Sequence, residues 1–509
     1  MVNLVFSYAS LALLFVHGLV LTPLYLSVIP VPLYGSWLAF GAIFAALELI
    51  DPGIGQIVQQ RTAHALGSGD ARRLREVVGT GGVVSCFLAS CLLLALPFAG
   101  FAPEMVRYSG NDSGELVTAF TIGVLARAAG VASAGVTAAG MGLQLARMSG
   151  TIHLLGGVLS IAVTVSLLFH GAGLVSLPAG LLARGVLVSV CNAAGVTFWT
   201  KRTLGFAPGV TWAETRAQFG ITGFTFAARA GASVLGRLDT LIAAWFFGPE
   251  QAAVVGITGR AAELVRAVAE RPAQSAAPAL AHMVGEGSPR TGQMMKRLLL
   301  ISSGIAAVGM GSVIAANDRF VGAWVGGHLY GGMALTIAIA LAGGTAVIGS
   351  AAHQMLVSSG ALKGSAVLTI KEAGLRLPLQ VAFPMVFGVA GIPSAYAVAS
   401  ALSLVIWVPP TASQLSLEWA SQVRRWLVSG LRQLAVAAGL GFLMALTARW
   451  VLGAEPGWLS LALVGSTAAV AQILACAARF ETRVELMAML SGGRGLTRRG
   501  AASVVKGIE

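Results

Sequence analysis

Apolar runs of roughly 20 residues recur along the whole chain, each long enough at about 1.5 Å rise per residue to cross about 30 Å of hydrocarbon. They predict fourteen helices, near 4–28, 35–57, 75–98, 116–138, 149–170, 178–200, 219–246, 251–275, 298–316, 333–357, 366–387, 392–412, 432–452 and 458–478. A membrane barrel would instead alternate apolar and polar positions in strands of about 10 residues. No such alternation is present. The connections are short, which leaves no room for a catalytic domain between spans. Two runs carry unusual charge: 251–275, and 366–387 with Lys371, Glu372 and Arg376 near its start. TWAETRAQF (211–219) and LEWASQVRRWL (417–427) read either as short amphipathic pieces at the inner surface or as plain helix ends, and both readings stand open.

Composition agrees with an all-α polytopic membrane protein: 56% of the 509 residues are hydrophobic and 10% charged, with mean hydropathy +0.82. A net charge of +13 in a soluble protein would suggest nucleic acid. In a membrane chain its placement sets topology instead. With a cytoplasmic N-terminus, the inner connections and the tail hold about 23 of the 33 Lys and Arg residues. The outer connections hold Arg107, Arg319 and Arg449. Both termini are therefore expected in the cytoplasm, and the first run, which has no Lys or Arg before Arg61, reads as a retained helix.

Cys86, Cys91, Cys191 and Cys476 lie in apolar runs without CxxC spacing, so they read as small core hydrophobes, with no metal site or disulfide framework. No GxxxxGK[ST], HExxH or GxSxG is present, which disfavours ATP hydrolysis and the commoner hydrolytic enzymes. The reading is of a protein that is not an enzyme and that needs no cofactor.

A repeat is detectable. HALGSGD (64–70) and HMVGEGS (282–288) share H-x-x-G-x-G, and each follows a helix entered through a Pro-containing turn, at 32–35 and 249–252. Six predicted helices separate the copies. This even number implies two parallel six-helix lobes, with boundaries expected at 1–203, 204–414 and, for an extra helix pair with a basic tail, 415–509.

Seven arginines remain at membrane depth: Arg127, Arg184, Arg229, Arg237, Arg260, Arg266 and Arg271. With them are Glu48, Asp51, Asp239, Glu263 and Glu270. Each costs about 2.5–3.5 kcal/mol near a helix centre on insertion scales, so the set is expected to face protein or an aqueous cavity. On a continuous helix Arg260, Glu263, Arg266, Glu270 and Arg271 fall within an arc of about 140°. The arginines outnumber the acids, and guanidinium is the side chain whose planar fork best fits phosphate oxygens. An anionic, phosphate-bearing substrate is the expectation, with the acids as charge-balancing or ion-coupling groups. Asp51 reads equally as a helix cap beside Pro52. His17, His153 and His353 read either as proton relays or as histidines bonded to backbone. Pro23, Pro178, Pro384 and Pro393 read either as hinges or as tolerated breaks.

The stretch YGSWLAFGAIFAALELIDPGIGQIVQQRTAHALGSGD (34–70) resembles the polysaccharide-export and oligosaccharidyl-lipid flippases of the multidrug/oligosaccharidyl-lipid/polysaccharide exporter superfamily, through Tyr34, Gly35, Asp51, Gly53, Gly55 and Arg61. GRLDTLIAAWFFGPEQAAVVGITGRAAELV (236–265) is similar to a second stretch of that family, through Leu238, Asp239, Phe247, Gly248 and Pro249. The first loop departs from the family, reading VIPVPLYG where relatives often carry a basic residue and Leu-Gly-Pro. The resemblance implies two lobes around a central cavity, with helices 13 and 14 beyond the common twelve. It implies movement of a polyprenyl-diphosphate-linked saccharide across a bacterial inner membrane for surface polysaccharide assembly. The implied partners are that lipid-linked oligosaccharide, membrane lipids and polysaccharide assembly machinery, not nucleic acid, with H+ or Na+ as candidate coupling ion. An ion-coupled multidrug antiporter of the same superfamily is the first alternative. A membrane glycosyltransferase or polysaccharide polymerase is the second.

Overall fold

The computed structural model describes residues 15–51, 53–205, 207–220, 238–286, 288, 290–412, 417–453 and 457–477, with Phe6, Ala9, Ala12 and Leu13. The described chain is helical, without strands. The principal helices are α1 (Leu21–Val28), α2 (Val31–Leu47), α3 (Ile54–Gly67), α4 (Ala71–Leu92), α5 (Ser113–Gly142), α6 (Ala146–Phe169) and α7 (Ser176–Leu204). They continue with α8 (Trp212–Gly220), α9 (Leu238–Phe247), α10 (Pro249–Ala269), α11 (Arg271–Gly285) and α12 (Thr291–Trp324). The last are α13 (Gly332–Ser358), α14 (Leu362–Phe387), α15 (Gly391–Leu402), α16 (Leu417–Leu452) and α17 (Trp458–Ala477).

Ten described helices are long and apolar enough to cross a membrane, and Val16–Val28 and Leu238–Phe247 are shorter apolar helices. One of the ten, Lys363–Ala412, runs through both the 366–387 and 392–412 predictions. The outward faces are apolar, as lipid requires: Trp450 is 89% exposed and Leu459 76%. Two predicted connections are in fact helical. Residues 58–67 belong to α3 and residues 276–285 to α11, each resuming after a break in the preceding span. This makes the repeat structural. The two broken-helix copies start at residues 31 and 249 and end at 67 and 285, both pairs 218 apart. In the first copy the break uses Gly53 at φ 99°, a left-handed turn open to glycine at little cost.

By compactness the chain forms two units, Met1–Arg260 with Thr369–Ile392, and Ala261–Leu368 with Pro393–Glu509. The boundaries read from the repeat follow chain order, whereas spatial grouping places residues 204–260 and most of α14 with the first unit. In that unit α5 packs on α3, α4 and α7 around Ile54, Val58, Val77, Leu88, Ala139 and Val196. In the second unit α12 packs against α13, α16 and α17. There Gln472 Nε2 donates to Ala437 O at 2.9 Å and Ser303 Oγ to Gln433 Oε1 at 3.3 Å, so the polar groups bond helix to helix.

The structure resolves several open readings. Residues 212–220 are helical (α8), with Trp212 80% exposed and Glu214 buried against Arg61 at 2.7 Å. Segment 417–427 is the first part of the 36-residue α16. Arg319 lies inside α12, not in an outer connection, and its Nη2 donates to Ala448 O and Gly453 O. Cys86 and Cys191 are exposed free thiols, not core residues. Pro178 and Pro393 occupy the first turns of α7 and α15, where a missing N–H costs nothing. Pro23 follows a π-helical turn at Val16–Val20, which accommodates the ladder break that proline imposes. Pro378 and Pro384 are the interior prolines of α14.

Candidate functional site

The charged residues of the spans are arranged mainly as pairs. On the first unit Arg127 Nη1 of α5 donates to Glu48 Oε1 at 2.8 Å, at the end of α2. The Arg127 guanidinium also lies 5.6 Å from the Phe44 ring centroid, a cation–π contact one turn back along α2. Asp239, at the start of α9, is held by Arg376 Nη2 at 3.1 Å and Gln380 Nε2 at 2.7 Å, both on α14 and both reaching Oδ1. Arg376 is 2% exposed. Helix α14 begins at residue 362 and carries Arg376 into the interior, well past the helix start. The i, i+4 pair Arg376 and Gln380, set in the apolar LRLPLQVAF, was the signal that could have revealed it.

On the second unit Arg266 Nε pairs with Glu270 Oε1 at 2.8 Å within one helical turn. The stripe inferred for a single helix is interrupted: α10 ends at Ala269, and Arg271 opens α11 as an exposed residue. Glu263 is exposed on α10. Arg229 and Arg237 lie outside the described residues.

A second grouping in the first unit centres on His17. Its Nδ1 is 3.2 Å from Tyr25 Oη, and Arg184 and Arg260 both lie within electrostatic reach of the ring. The Arg260 side chain runs across Gly18, where a Cβ would stand 3.5 Å from its Cδ. Arg184, exposed on α7, crosses Gly156 of α6 and has no carboxylate within ion-pair distance among the described residues. Arg184 also reaches His153 and Arg127 electrostatically. Three of the predicted arginines, Arg127, Arg184 and Arg260, thus belong to one neighbourhood, with His17, His153 and Glu48. In the second unit His353 Nδ1 bonds Ser365 Oγ at 3.0 Å, so it engages a side chain rather than a carbonyl.

Asp51 acts as a helix cap. Its Oδ1 accepts from the backbone N–H of Gly53 and of Ile54, each at 2.9 Å, and so caps α3. The same residue lines a cavity of about 390 Å³ with Gln56, Gln59, Ser133, Thr137 and His153. Among the described residues no group of three or more His, Cys, Asp or Glu is placed to hold a metal ion.

The two stretches that carry the family resemblance meet in space. The N-terminal turn of α2 approaches the α9–α10 junction so closely that a Cβ on Gly35 would stand 1.8 Å from Pro249 O. Thr240 Oγ1 donates to Leu38 O at 3.1 Å beside it. Tyr34-Gly35 and Phe247-Gly248-Pro249 are thus the two halves of one helix contact.

No family model matches the chain, and neither does any curated protein. Solved structures do. An inward-facing multidrug resistance MATE family transporter of the MOP superfamily superposes with TM-score 0.60 at 14% identity, covering 81% of this chain and 94% of its own. The lipid II flippase MurJ, in an inward closed conformation, gives TM-score 0.62 at 12% identity, covering 92% and 98%. A point mutant of the Vibrio cholerae MATE transporter VcmN gives 0.56 at 12%, covering 85% and 95%. The chain shares the fold of these MATE transporters and of the lipid II flippase.

Proposed function

We propose that the protein is a flippase that carries a polyprenyl-diphosphate-linked saccharide from the cytoplasmic to the outer leaflet of a bacterial inner membrane by alternating access. The observation that carries this reading is the placement of Arg184 and Arg260 about His17 in the first unit, with Arg127 within electrostatic reach of Arg184. A diphosphate headgroup supplies the anionic oxygens that guanidinium donors fit in pairs. The polyprenyl tail remains in lipid throughout and needs no binding site of its own. The likeness to a lipid II flippase over 92% of the chain supports the same reading, since it takes in more of the chain than the MATE likenesses described above.

A multidrug antiporter is the second reading, favoured by the MATE structures. It calls for carboxylates available to a cationic drug, whereas Glu48, Asp239 and Glu270 are each engaged by an arginine. The termini are placed in the cytoplasm on the distribution of Lys and Arg, and polysaccharide assembly proteins are the natural partners of such a flippase. H+ or Na+ remains the candidate coupling ion.

The test is translocation in liposomes of fluorescent undecaprenyl-diphosphate carrying a sugar, followed by quenching in the outer leaflet. Wild-type protein is expected to accelerate it. Arg184→Glu and Arg260→Glu are each expected to slow it by at least about tenfold, the loss of one charge-assisted contact at about 1.5–3 kcal/mol. Unchanged rates in both variants, or transport of an organic cation in place of the lipid, overturn the assignment.

A further inference from the structure

The cavity of about 390 Å³ in the first unit is not absorbed by phosphate binding. It is walled by α3, by α5 and by α6, and its polar lining comprises Asp51, Gln56, Gln59, Ser133, Thr137 and His153. No arginine or lysine lines it, so a phosphate finds no countercharge there. The mixture is one of amide, hydroxyl, imidazole and carboxylate groups, which together donate and accept hydrogen bonds in many directions. Met141 adds an apolar face to the wall.

Much of this capacity is unspent. Gln56, Gln59 and His153 make no side-chain hydrogen bond to another described residue, and Thr137 Oγ1 has no partner. Ser133 Oγ donates to Gly130 O at 2.7 Å and keeps its lone pairs. The volume falls within the range of about 300–1,000 Å³ that small-molecule sites occupy.

Position links the cavity to the arginines. On α5, Arg127 stands one turn before Gly130, which also lines the cavity, and one turn of helix is about 5.4 Å. Glu48, the partner of Arg127, stands three residues before Asp51. His153, on the far wall, is within electrostatic reach of Arg184. A headgroup whose phosphates lie on the guanidinium groups would therefore direct its next unit toward this cavity.

We propose that the cavity between α3, α5 and α6 receives a sugar ring of the cargo headgroup, next to the arginines that hold its phosphates. The proposal rests on the flippase reading. Ring hydroxyls meet the two amides and two hydroxyls, and the C–H face of the ring lies on Met141.

The experiment measures binding to purified full-length protein in nanodiscs. The probes are bare undecaprenyl diphosphate and the same lipid carrying one glucose, galactose or N-acetylglucosamine. Wild-type protein is expected to hold at least one glycosylated lipid about tenfold more tightly than the bare lipid. The Gln56→Leu/Gln59→Leu/Thr137→Val variant is expected to bind both equally, with bare-lipid affinity unchanged. Thr137→Val alone, nearly isosteric, is expected to lower the preference about threefold and serves if the triple variant does not fold. A preserved preference in the variants, or no preference in the wild type, overturns the sugar site and leaves the flippase reading standing. Failure to bind even the bare lipid overturns the flippase reading and the sugar site with it. Binding of free monosaccharide at millimolar concentration, equal to that of the glycosylated lipid, would make the occupant a free sugar and overturn the headgroup assignment.

Discussion

Arg376→Gln is expected to destabilise the protein by about 3 kcal/mol, the lower end of the range for breaking a buried ion pair. Arg376 is 2% exposed and Asp239 26%, so the pair is buried on one side and partly open on the other. Glutamine keeps much of the side-chain volume but removes the guanidinium, leaving the carboxylate with Gln380 as its remaining donor among the contacts on Oδ1. Asp239→Asn is expected to cost a similar amount, by removing the carboxylate charge that the buried Arg376 guanidinium pairs with. The double variant Asp239→Asn/Arg376→Gln is expected to recover at least half of either loss, because two amides hydrogen-bond without a charge to desolvate. Thermal unfolding in detergent, with the yield of monodisperse protein, measures this. Wild-type stability in both single variants would show that the pair does not hold α9 to α14.

Gly35→Ala is the second substitution with a large expected effect. Its new Cβ would stand 1.8 Å from Pro249 O and 2.8 Å from Pro249 C, and both are backbone atoms that no rotamer change can move. The start of α2 and the α9–α10 junction must separate. Overpacking typically costs about 1–3 kcal/mol, and an immovable neighbour places this case at the upper end, about 3 kcal/mol. Gly439→Ala, on α16, is the control, since a Cβ there meets nothing within 4 Å. It is expected to leave stability unchanged or raise it by up to about 1 kcal/mol through helix propensity. If Gly35→Ala unfolds at the same temperature as Gly439→Ala, the helices do not touch as described.

The broken-helix repeat was legible in the chain because its signals are local: a Pro-containing entry, about 20 apolar residues, and an H-x-x-G-x-G exit. What escaped was the amphipathic half after each break. Segments such as IGQIVQQRTAHALG are too polar for a hydropathy count to treat as part of a span, yet α3 buries Ile54, Ile57, Val58, Thr62 and Ala65 on one face. Arg127 of α5 pairs with Glu48, just past the end of α2. The partner of Asp239 was not foreseen, because Arg376 resembled the inner-loop arginines in everything but its helical neighbours.

The sequence by itself determined that this is a helical membrane protein with a repeated segment and an unusual number of charges at membrane depth. Those properties follow from runs of side chains read against the thickness of a bilayer, and they need no knowledge of which helix meets which. Only the tertiary structure decided where the charges go: Arg376 onto Asp239, 137 positions away, Arg127 onto Glu48, and Asp51 onto the cap of α3 at the edge of a cavity. A guanidinium finds its partner within a few ångströms of its own helix face, and which face that is depends on packing between segments remote in the chain.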